Sequence, residues 1–123
     1  MRYVDDIPAA KRYSVIGLGT WQFGSREWGY GGGYDDAEAG RIVRRARELG
    51  ITVFDTAEIY GFGRSERILG EALRASGGTD DVVIATKVFG DTGPGPNSRG
   101  NSRSHIIAGL KACLLYTSAA ADE

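Results

Sequence analysis

The feature of this sequence that most constrains its fold is the alternation of short apolar runs with longer amphipathic segments. The apolar runs occupy residues 14–18, 51–54 and 82–86, and apolar residues recur at helical spacing in the segment after each run. The predicted order is therefore strand, helix, strand, helix, strand, helix. Because each crossover helix must cover a face of the sheet, this order predicts an α/β fold built on a parallel sheet.

Residues with capping preferences mark the ends of the predicted helices. The predicted N-caps have short polar side chains: Asp35, Ser65, and either Ser102 or Ser104. Glu38 stands three residues after Asp35, which is the spacing of a capping box. Glycines are predicted to end the first two helices: Gly50, then Gly77 and Gly78.

The bulk composition is that of an ordinary globular domain with a single core. The chain has 123 residues, of which 41% are hydrophobic and 25% charged, and its net charge is −1. No basic excess points to nucleic acid or to an anionic membrane surface, and no apolar run is long enough to span a bilayer. The amino end lacks a signal-peptide pattern, so we expect a cytoplasmic protein. Cys113 is the only cysteine, so we expect neither a disulfide framework nor a metal site.

The glycine-rich segment "GLGTWQFG" invites a dinucleotide-binding interpretation, because Gly-x-Gly after a strand can hold a pyrophosphate. That interpretation fails, since Gln22 occupies the position of the third glycine and a long loop separates the motif from the helix. The aromatic residues of the loop fit either the core or a mobile pocket wall, and the surrounding glycines favour the wall: Trp21, Phe23, Trp28, Tyr30 and Tyr34.

An acid, a phenol and an amine are predicted to meet at one edge of the sheet. Asp55 ends the second apolar run, Tyr60 lies on the turn after it, and Lys87 follows the third run. In parallel α/β folds, chemistry gathers at the carboxyl ends of the strands. An ammonium beside a phenol stabilises the phenolate, so such a tyrosine can act as a general acid for carbonyl reduction. Taken singly, the residues also fit a turn cap, a packed ring and a solvated amine, but their joint placement favours a site.

Two further polar residues are given structural roles by their positions. His105 stands at the start of the third predicted helix, and we expect it to face solvent in the first turn. Ser65 has no candidate base nearby, and we expect it to act as a helix cap.

These motifs resemble the aldo-keto reductase family. The resemblance lies in the segments "GLGTW", "GITVFDTAEIYG" with "GRSERILGEAL", "VVIATKV" and "SRSHIIAGLKA". The resemblance implies the three amino-terminal strand–helix units of a (β/α)8 TIM barrel that uses NADPH. It also implies an Asp, Tyr, Lys and His catalytic set, whose first three members match Asp55, Tyr60 and Lys87. By the same resemblance, four residues bind the nicotinamide end of the cofactor: Gly19, Thr20, Trp21 and Asp55.

Two parts of the family pattern do not match this chain. The family histidine follows the fourth strand, which these 123 residues do not reach, and His105 does not substitute for it. Most of the family's contacts with the adenosine phosphate also come from later strands. The domain prediction is a partial barrel over residues 1–112 and a non-native tail over 113–123, "CLLYTSAAADE". A diverged helix end is the alternative for that tail.

The function expected for the intact parent is NADPH-dependent interconversion of an aldehyde or ketone and its alcohol. Its partner would be a small carbonyl compound, with no nucleic acid and no membrane, and the sequence leaves the oligomeric state open. The same motifs resemble the β-subunits of voltage-gated potassium channels, so a regulatory binding partner is the alternative. We expect residues 1–123 alone neither to fold stably nor to reduce carbonyls, because the sheet lacks the partners that would cover it.

Overall fold

The computed structural model describes residues 1–4 and 11–117, which form two small β-sheets and three α-helices. Strands β1 (Tyr3–Val4) and β2 (Tyr13–Ser14) pair antiparallel. The other sheet is parallel and contains β3 (Gly17–Gly19), β4 (Val53–Asp55) and β5 (Val83–Ala85), in that order. The helices are α1 (Asp36–Glu48), α2 (Arg64–Ala75) and α3 (Arg103–Thr117). The predicted alternation and the parallel sheet are confirmed.

The register of the parallel sheet brings the three strand ends level with one another. Gly19 pairs with Asp55, and Asp55 pairs with Ala85. Backbone hydrogen bonds continue one residue further, from Thr20 N to Asp55 O at 2.9 Å and from Thr56 N to Ala85 O at 2.8 Å. The segments that follow the strands therefore leave the sheet side by side at one edge.

One cluster of buried apolar side chains joins α1 and α2 to the sheet. Helical spacing in α1 places Val43 in this cluster, and Leu69 and Leu73 enter it from α2, where Phe54 of β4 meets them. All four side chains are fully buried. Burial of a large apolar side chain contributes about 1.5–3 kcal/mol, so these contacts are the main force that holds the helices on the sheet.

Helix α1 has the two end structures that its sequence predicts. The Asp35 carboxylate accepts a hydrogen bond from Glu38 N at 3.0 Å. At the other end Gly50 has φ +82°, its N–H bonds to Arg47 O, and Ile51 N bonds to Ala46 O. This pair of bonds is the Schellman motif, which satisfies the last carbonyls of the helix.

The first predicted strand, residues 14–18, is wrong in its extent. Ser14 belongs to β2 and pairs with Tyr3, and the parallel strand begins only at Gly17. Ser14 and Thr52 exchange hydrogen bonds between backbone N–H and side-chain oxygen, both at 2.9 Å. These side-chain bonds replace the regular ladder at this point and let the chain change direction between the two sheets.

Helix α3 begins at Arg103 with Ser102 as its cap, since Ser102 Oγ accepts from His105 N at 3.2 Å. It runs to Thr117, so residues 113–117 are helical, and residues 118–123 lie outside the described part of the chain. The non-native origin of residues 113–123 stays a prediction. Several apolar side chains of α3 are exposed: Ile106, Ile107, Leu110, Leu114 and Leu115. Within the described ranges, no helix has the length and apolar character needed to cross a membrane.

Candidate active site

The three residues predicted to form a site meet at the carboxyl edge of the parallel sheet. Asp55 is the last residue of β4, Lys87 lies two residues beyond β5, and Tyr60 opens the short 3-10 turn Tyr60–Gly63. Lys87 Nζ lies 2.7 and 2.8 Å from the two carboxylate oxygens of Asp55. The same atom lies 2.8 Å from Thr56 O and 3.3 Å from Tyr60 Oη. The ammonium therefore joins the acid to the phenol.

The electrostatics of this cluster keep the lysine charged. Partial burial acts to lower the pKa of Lys87. Its hydrogen bonds to Asp55 and Tyr60 and the negative charge of Asp55 act in the opposite direction and leave the pKa above its ordinary value. The side chains of Lys87 and Asp55 are 49% and 46% exposed, so water and a small molecule can reach them.

An exposed aromatic wall stands beside the phenol. The Trp21 ring stacks on Tyr60, with centroids 6.0 Å apart and planes 20° apart, and Trp28 meets Trp21 edge-on at 5.5 Å. Trp21 is 59% exposed. A cleft of about 370 Å³ runs between Trp21, Tyr60 and Arg64. Flat apolar rings next to hydrogen-bond donors are typical of small-molecule sites.

The remaining aromatic residues of the glycine-rich loop belong to the interior, so the pocket-wall interpretation is wrong for them. Phe23 is fully buried in the core, and Tyr30 and Tyr34 are partly buried against it. Burial and a hydrogen bond to Asp36 raise the pKa of Tyr30, and burial raises the pKa of Tyr34 to about 12. Both rings are therefore part of the interior and not of the exposed aromatic wall beside Tyr60.

A network of buried hydroxyl groups lies under the strand ends that carry the candidate site and links them to α2. Thr20 Oγ1 donates to Asp55 O at 3.1 Å, and Ser65 Oγ donates to Thr20 O at 2.7 Å and lies 3.2 Å from Thr56 Oγ1. The predicted cap role of Ser65 is wrong, because the N-cap of α2 is Gly63, the helix begins at Arg64, and Ser65 is fully buried inside it. The Thr20 hydroxyl is part of this network, so its side chain stabilises the strand end and is not exposed at the site.

The predicted position of His105 is also wrong, since its side chain is buried. His105 Nε2 lies 2.8 Å from Glu58 Oε1, and the two side chains are 5% and 8% exposed. Glu58 Oε1 also accepts a hydrogen bond from Phe89 N at 2.9 Å. The sequence holds one signal for this pair: Glu58 stands in the apolar surroundings of 57–59, where a carboxylate requires a partner.

The residues present fit one end of a nicotinamide cofactor. Gly19 lies beside Asp55, and a Cβ built on it would meet no atom within 4 Å, so the edge is open there. The exposed Trp21 lies two residues after Gly19, and the ammonium of Lys87 bonds to the carboxylate of Asp55, which pairs with Gly19. Within the described part of the chain, no group of three His, Cys, Asp or Glu residues is placed to hold a metal ion.

Comparison with known proteins places this arrangement in a family. The model of the Aldo/keto reductase family matches residues 15–117, which is most of the chain. The chain belongs to the aldo/keto reductase family. Its parallel strand–helix units therefore correspond to part of the (β/α)8 barrel of that family.

The relatives of this aldo/keto reductase chain include both oxidoreductases and channel subunits. It is 62% identical over 91 residues to an uncharacterized oxidoreductase of Mycobacterium tuberculosis, across 72% of this chain and 27% of that protein. It is 39% identical over 115 residues to a probable voltage-gated potassium channel subunit beta of Arabidopsis thaliana, across 93% of this chain and 33% of that protein.

A solved aldo-keto reductase from Bacillus halodurans, in its holo form, has the same fold over the matched region. It superposes with a TM-score of 0.68 at 30% identity, across 86% of this chain and 33% of that one. The chain thus spans roughly a quarter to a third of the length of these relatives.

Proposed function

We propose that the full-length protein containing these residues is an NADPH-dependent oxidoreductase that interconverts a small aldehyde or ketone and its alcohol. The observation that carries the proposal is the position of Lys87 Nζ between the Asp55 carboxylate and the Tyr60 hydroxyl, on an edge that water can reach. An oxidoreductase function is also supported by the family and by the mycobacterial relative.

In the proposed reaction, Tyr60 transfers its hydroxyl proton to the carbonyl oxygen of the substrate as negative charge develops there. The ammonium of Lys87 then stabilises the phenolate that remains, and Asp55 holds the ammonium in place. In the direction of alcohol oxidation the same phenolate accepts the proton.

The proposed cofactor would bind at the open part of the same edge. When bound, NADPH would supply the hydride that reduces the carbonyl carbon. Gly19 leaves space for the nicotinamide, Trp21 offers an exposed flat ring, and Asp55 borders the opening. Thr20 would contribute through its backbone, because its hydroxyl is hydrogen-bonded inside the sheet edge.

The test is activity of the full-length protein, obtained by extending the reading frame, on a panel of aldehydes and ketones. We expect NADPH oxidation that depends on the carbonyl compound, and a loss in Tyr60→Phe, which keeps the ring but removes the proton. Tyr13→Phe, which removes a hydroxyl from a tyrosine of β2 in the other sheet, is the matched control. Absence of hydride transfer to every compound, together with no effect of Tyr60→Phe, would exclude the proposal.

A second candidate is a regulatory β-subunit of a potassium channel, favoured by the similarity to the Arabidopsis protein over nearly the whole chain. Copurification of the full-length protein with a tetrameric membrane channel would support it. A protein that purifies alone from the cytoplasmic fraction with carbonyl reductase activity would support the enzyme.

We also propose that residues 1–123 alone neither fold stably nor reduce carbonyl compounds. Apolar side chains of α3 and of the segment before β3 are exposed, among them Leu110, Leu115 and Ile16. Net stabilities are only ~5–15 kcal/mol even for complete domains, and apolar area left in water forgoes ~25 cal/mol per Å². The measurement is near-ultraviolet circular dichroism and a thermal melt, with and without NADPH. A cooperative melt whose midpoint rises with NADPH would contradict this proposal.

A further inference from the structure

Glu58 and His105 form a buried pair that the proposed reaction does not use. A carboxylate that is only 8% exposed carries a large desolvation cost unless hydrogen bonds satisfy it. Two described donors meet Glu58 Oε1, the Nε2 of His105 at 2.8 Å and the N–H of Phe89 at 2.9 Å. With Glu58 ionised, both of its oxygens accept, and His105 Nε2 is then the donor.

Glu58 forms hydrogen bonds with the two residues that flank Val88 in the segment after β5. Its backbone N–H donates to Lys87 O at 3.1 Å, and its side chain accepts from Phe89 N. Phe89 has φ +132°, a region that residues with a side chain rarely adopt, and its ring is 67% exposed. Packing of the ring therefore does little to hold the backbone conformation of Phe89. Two hydrogen bonds maintain it, one from Phe89 N to the Glu58 carboxylate and one from Gly100 N to Phe89 O.

His105 connects the same carboxylate to α3. Its backbone N–H bonds to the capping hydroxyl of Ser102, so the ring projects from the fixed first turn of the helix. Gly109, one turn further along, leaves space for the carboxylate, since a Cβ there would lie 2.9 Å from Glu58 Oε2. The helix thus fixes the position of the Glu58 side chain.

We propose that Glu58 and His105 are positioning residues that fix the distance between Lys87 Nζ and Tyr60 Oη. Glu58 stands two residues before Tyr60 and bonds to the backbone of Lys87, so it touches both segments that carry the pair. The 3.3 Å contact between Lys87 and Tyr60 is the longest at this ammonium, so it is the first to break when the segments move. The inference rests on the proposed function for its catalytic consequence only.

The test uses the full-length protein and two independent measurements. The first is the rate at which an amine-reactive reagent labels Lys87, read by peptide mass spectrometry, which requires no catalytic activity. The second is the separation of kcat from KM for a carbonyl substrate. His105→Leu removes the donor to Glu58. His105→Gln keeps a donor at position 105, and Glu58→Gln keeps an acceptor at position 58. Arg103→Ala, at an exposed position two residues before His105, is the control.

We expect His105→Leu to label at Lys87 several-fold faster than the wild type and to lose about tenfold to a hundredfold in kcat with little change in KM. His105→Gln and Glu58→Gln should recover most of the slow labelling, and Arg103→Ala should match the wild type. If His105→Leu does not fold, judged by near-ultraviolet circular dichroism, His105→Ala replaces it, because water can enter the space and solvate the carboxylate.

Unchanged labelling of Lys87 in a folded His105 variant would overturn the proposal, whatever the activity. A fall in kcat without faster labelling would also overturn it, since the pair would then act elsewhere. If the wild type reduces no carbonyl compound, the proposed function fails, but faster labelling in His105→Leu would still support the positioning of Lys87.

Discussion

Lys87 Nζ lies within 2.8 Å of both carboxylate oxygens of Asp55 and 3.3 Å from the Tyr60 hydroxyl. The carboxylate and the carbonyl of Thr56 therefore hold the ammonium in place, and its contact with the phenol is the longest of the four. This geometry separates the role of Asp55, which acts on Lys87, from that of Tyr60, which would act on a substrate.

The first prediction concerns Asp55→Asn in the full-length protein. The raised pKa of Lys87 should fall toward its ordinary value, since the amide removes the negative charge but keeps the shape. Carbonyl reduction should fall about 100-fold or more, because the ammonium is no longer fixed beside the phenol. The pKa is measured by NMR titration of the labelled lysine side chain. An unchanged pKa in Asp55→Asn would show that Asp55 does not hold the charge of Lys87.

The raised pKa of Lys87 also predicts how the unfolding free energy depends on pH. A lysine whose folded-state pKa is raised contributes stability that is fully present below its unfolded pKa of about 10.4 and is lost as the pH rises through the folded-state value. Because both partners are about half exposed, the contribution is small. The difference in unfolding free energy between the wild type and Lys87→Met should therefore be constant from pH 7 to about pH 9 and shrink above about pH 10.

The second prediction concerns Ser65→Ala. The change removes the donor to Thr20 O and a hydroxyl partner of Thr56 inside a fully buried network, so we expect a loss of about 1–3 kcal/mol in unfolding free energy. Ser104→Ala, an exposed serine of α3, is the matched control and should change stability little. Chemical denaturation of the full-length variants measures both. Equal stability of the two variants would contradict the role assigned to the network.

The third prediction compares two helical glycines. A Cβ at Gly109 would lie 2.8 Å from Val88 Cγ1 and 2.9 Å from Glu58 Oε2, so Gly109→Ala should destabilise the full-length protein by about 1–3 kcal/mol. A Cβ at Gly40 of α1 would meet nothing within 4 Å, so Gly40→Ala should stabilise it by about 0.5–1 kcal/mol. Denaturant unfolding distinguishes the opposite signs, and a stable Gly109→Ala protein would mean that α3 does not approach Glu58 as described.

The fourth prediction uses Cys113 as a reporter of folding in residues 1–123 alone. Burial, together with the charge of Glu66, raises the pKa of this thiol to about 11, so alkylation at pH 8 would be slow in the folded structure. An unfolded chain exposes a thiol with an ordinary pKa of about 8.5. We expect the isolated chain to react with iodoacetamide nearly as fast as in denaturant. Strong protection without denaturant would indicate a stable fold.

The parts of the structure that follow from local pattern could be predicted from the sequence. The cap at Asp35 and the glycine at Gly50 depend on neighbours within five residues, and both occur as expected. Asp55 and Lys87 converge because each follows a strand of one parallel sheet, and the alternation of elements predicts that sheet.

Two of the errors concern polar residues whose partners are distant in sequence. His105 is separated from Glu58 by 47 positions, and Ser65 from Thr20 by 45. A histidine in a first helical turn and a serine at the start of a helix both have an adequate local explanation, as an exposed residue and as a cap. Their burial depends on how α2 and α3 dock, which helical periodicity does not specify.

The reciprocal hydrogen bonds between Ser14 and Thr52 have a consequence for how such a chain can diversify. These bonds fix the amino-terminal ends of the strands. Asp55 belongs to the opposite end, because it lies three residues after Thr52, or about 10 Å further along the strand. The two ends share a backbone but no side-chain hydrogen bond in the described residues. The loop at 91–99, which follows Lys87, can therefore change without breaking the anchor, so selection for a new substrate and selection for folding can act on separate positions.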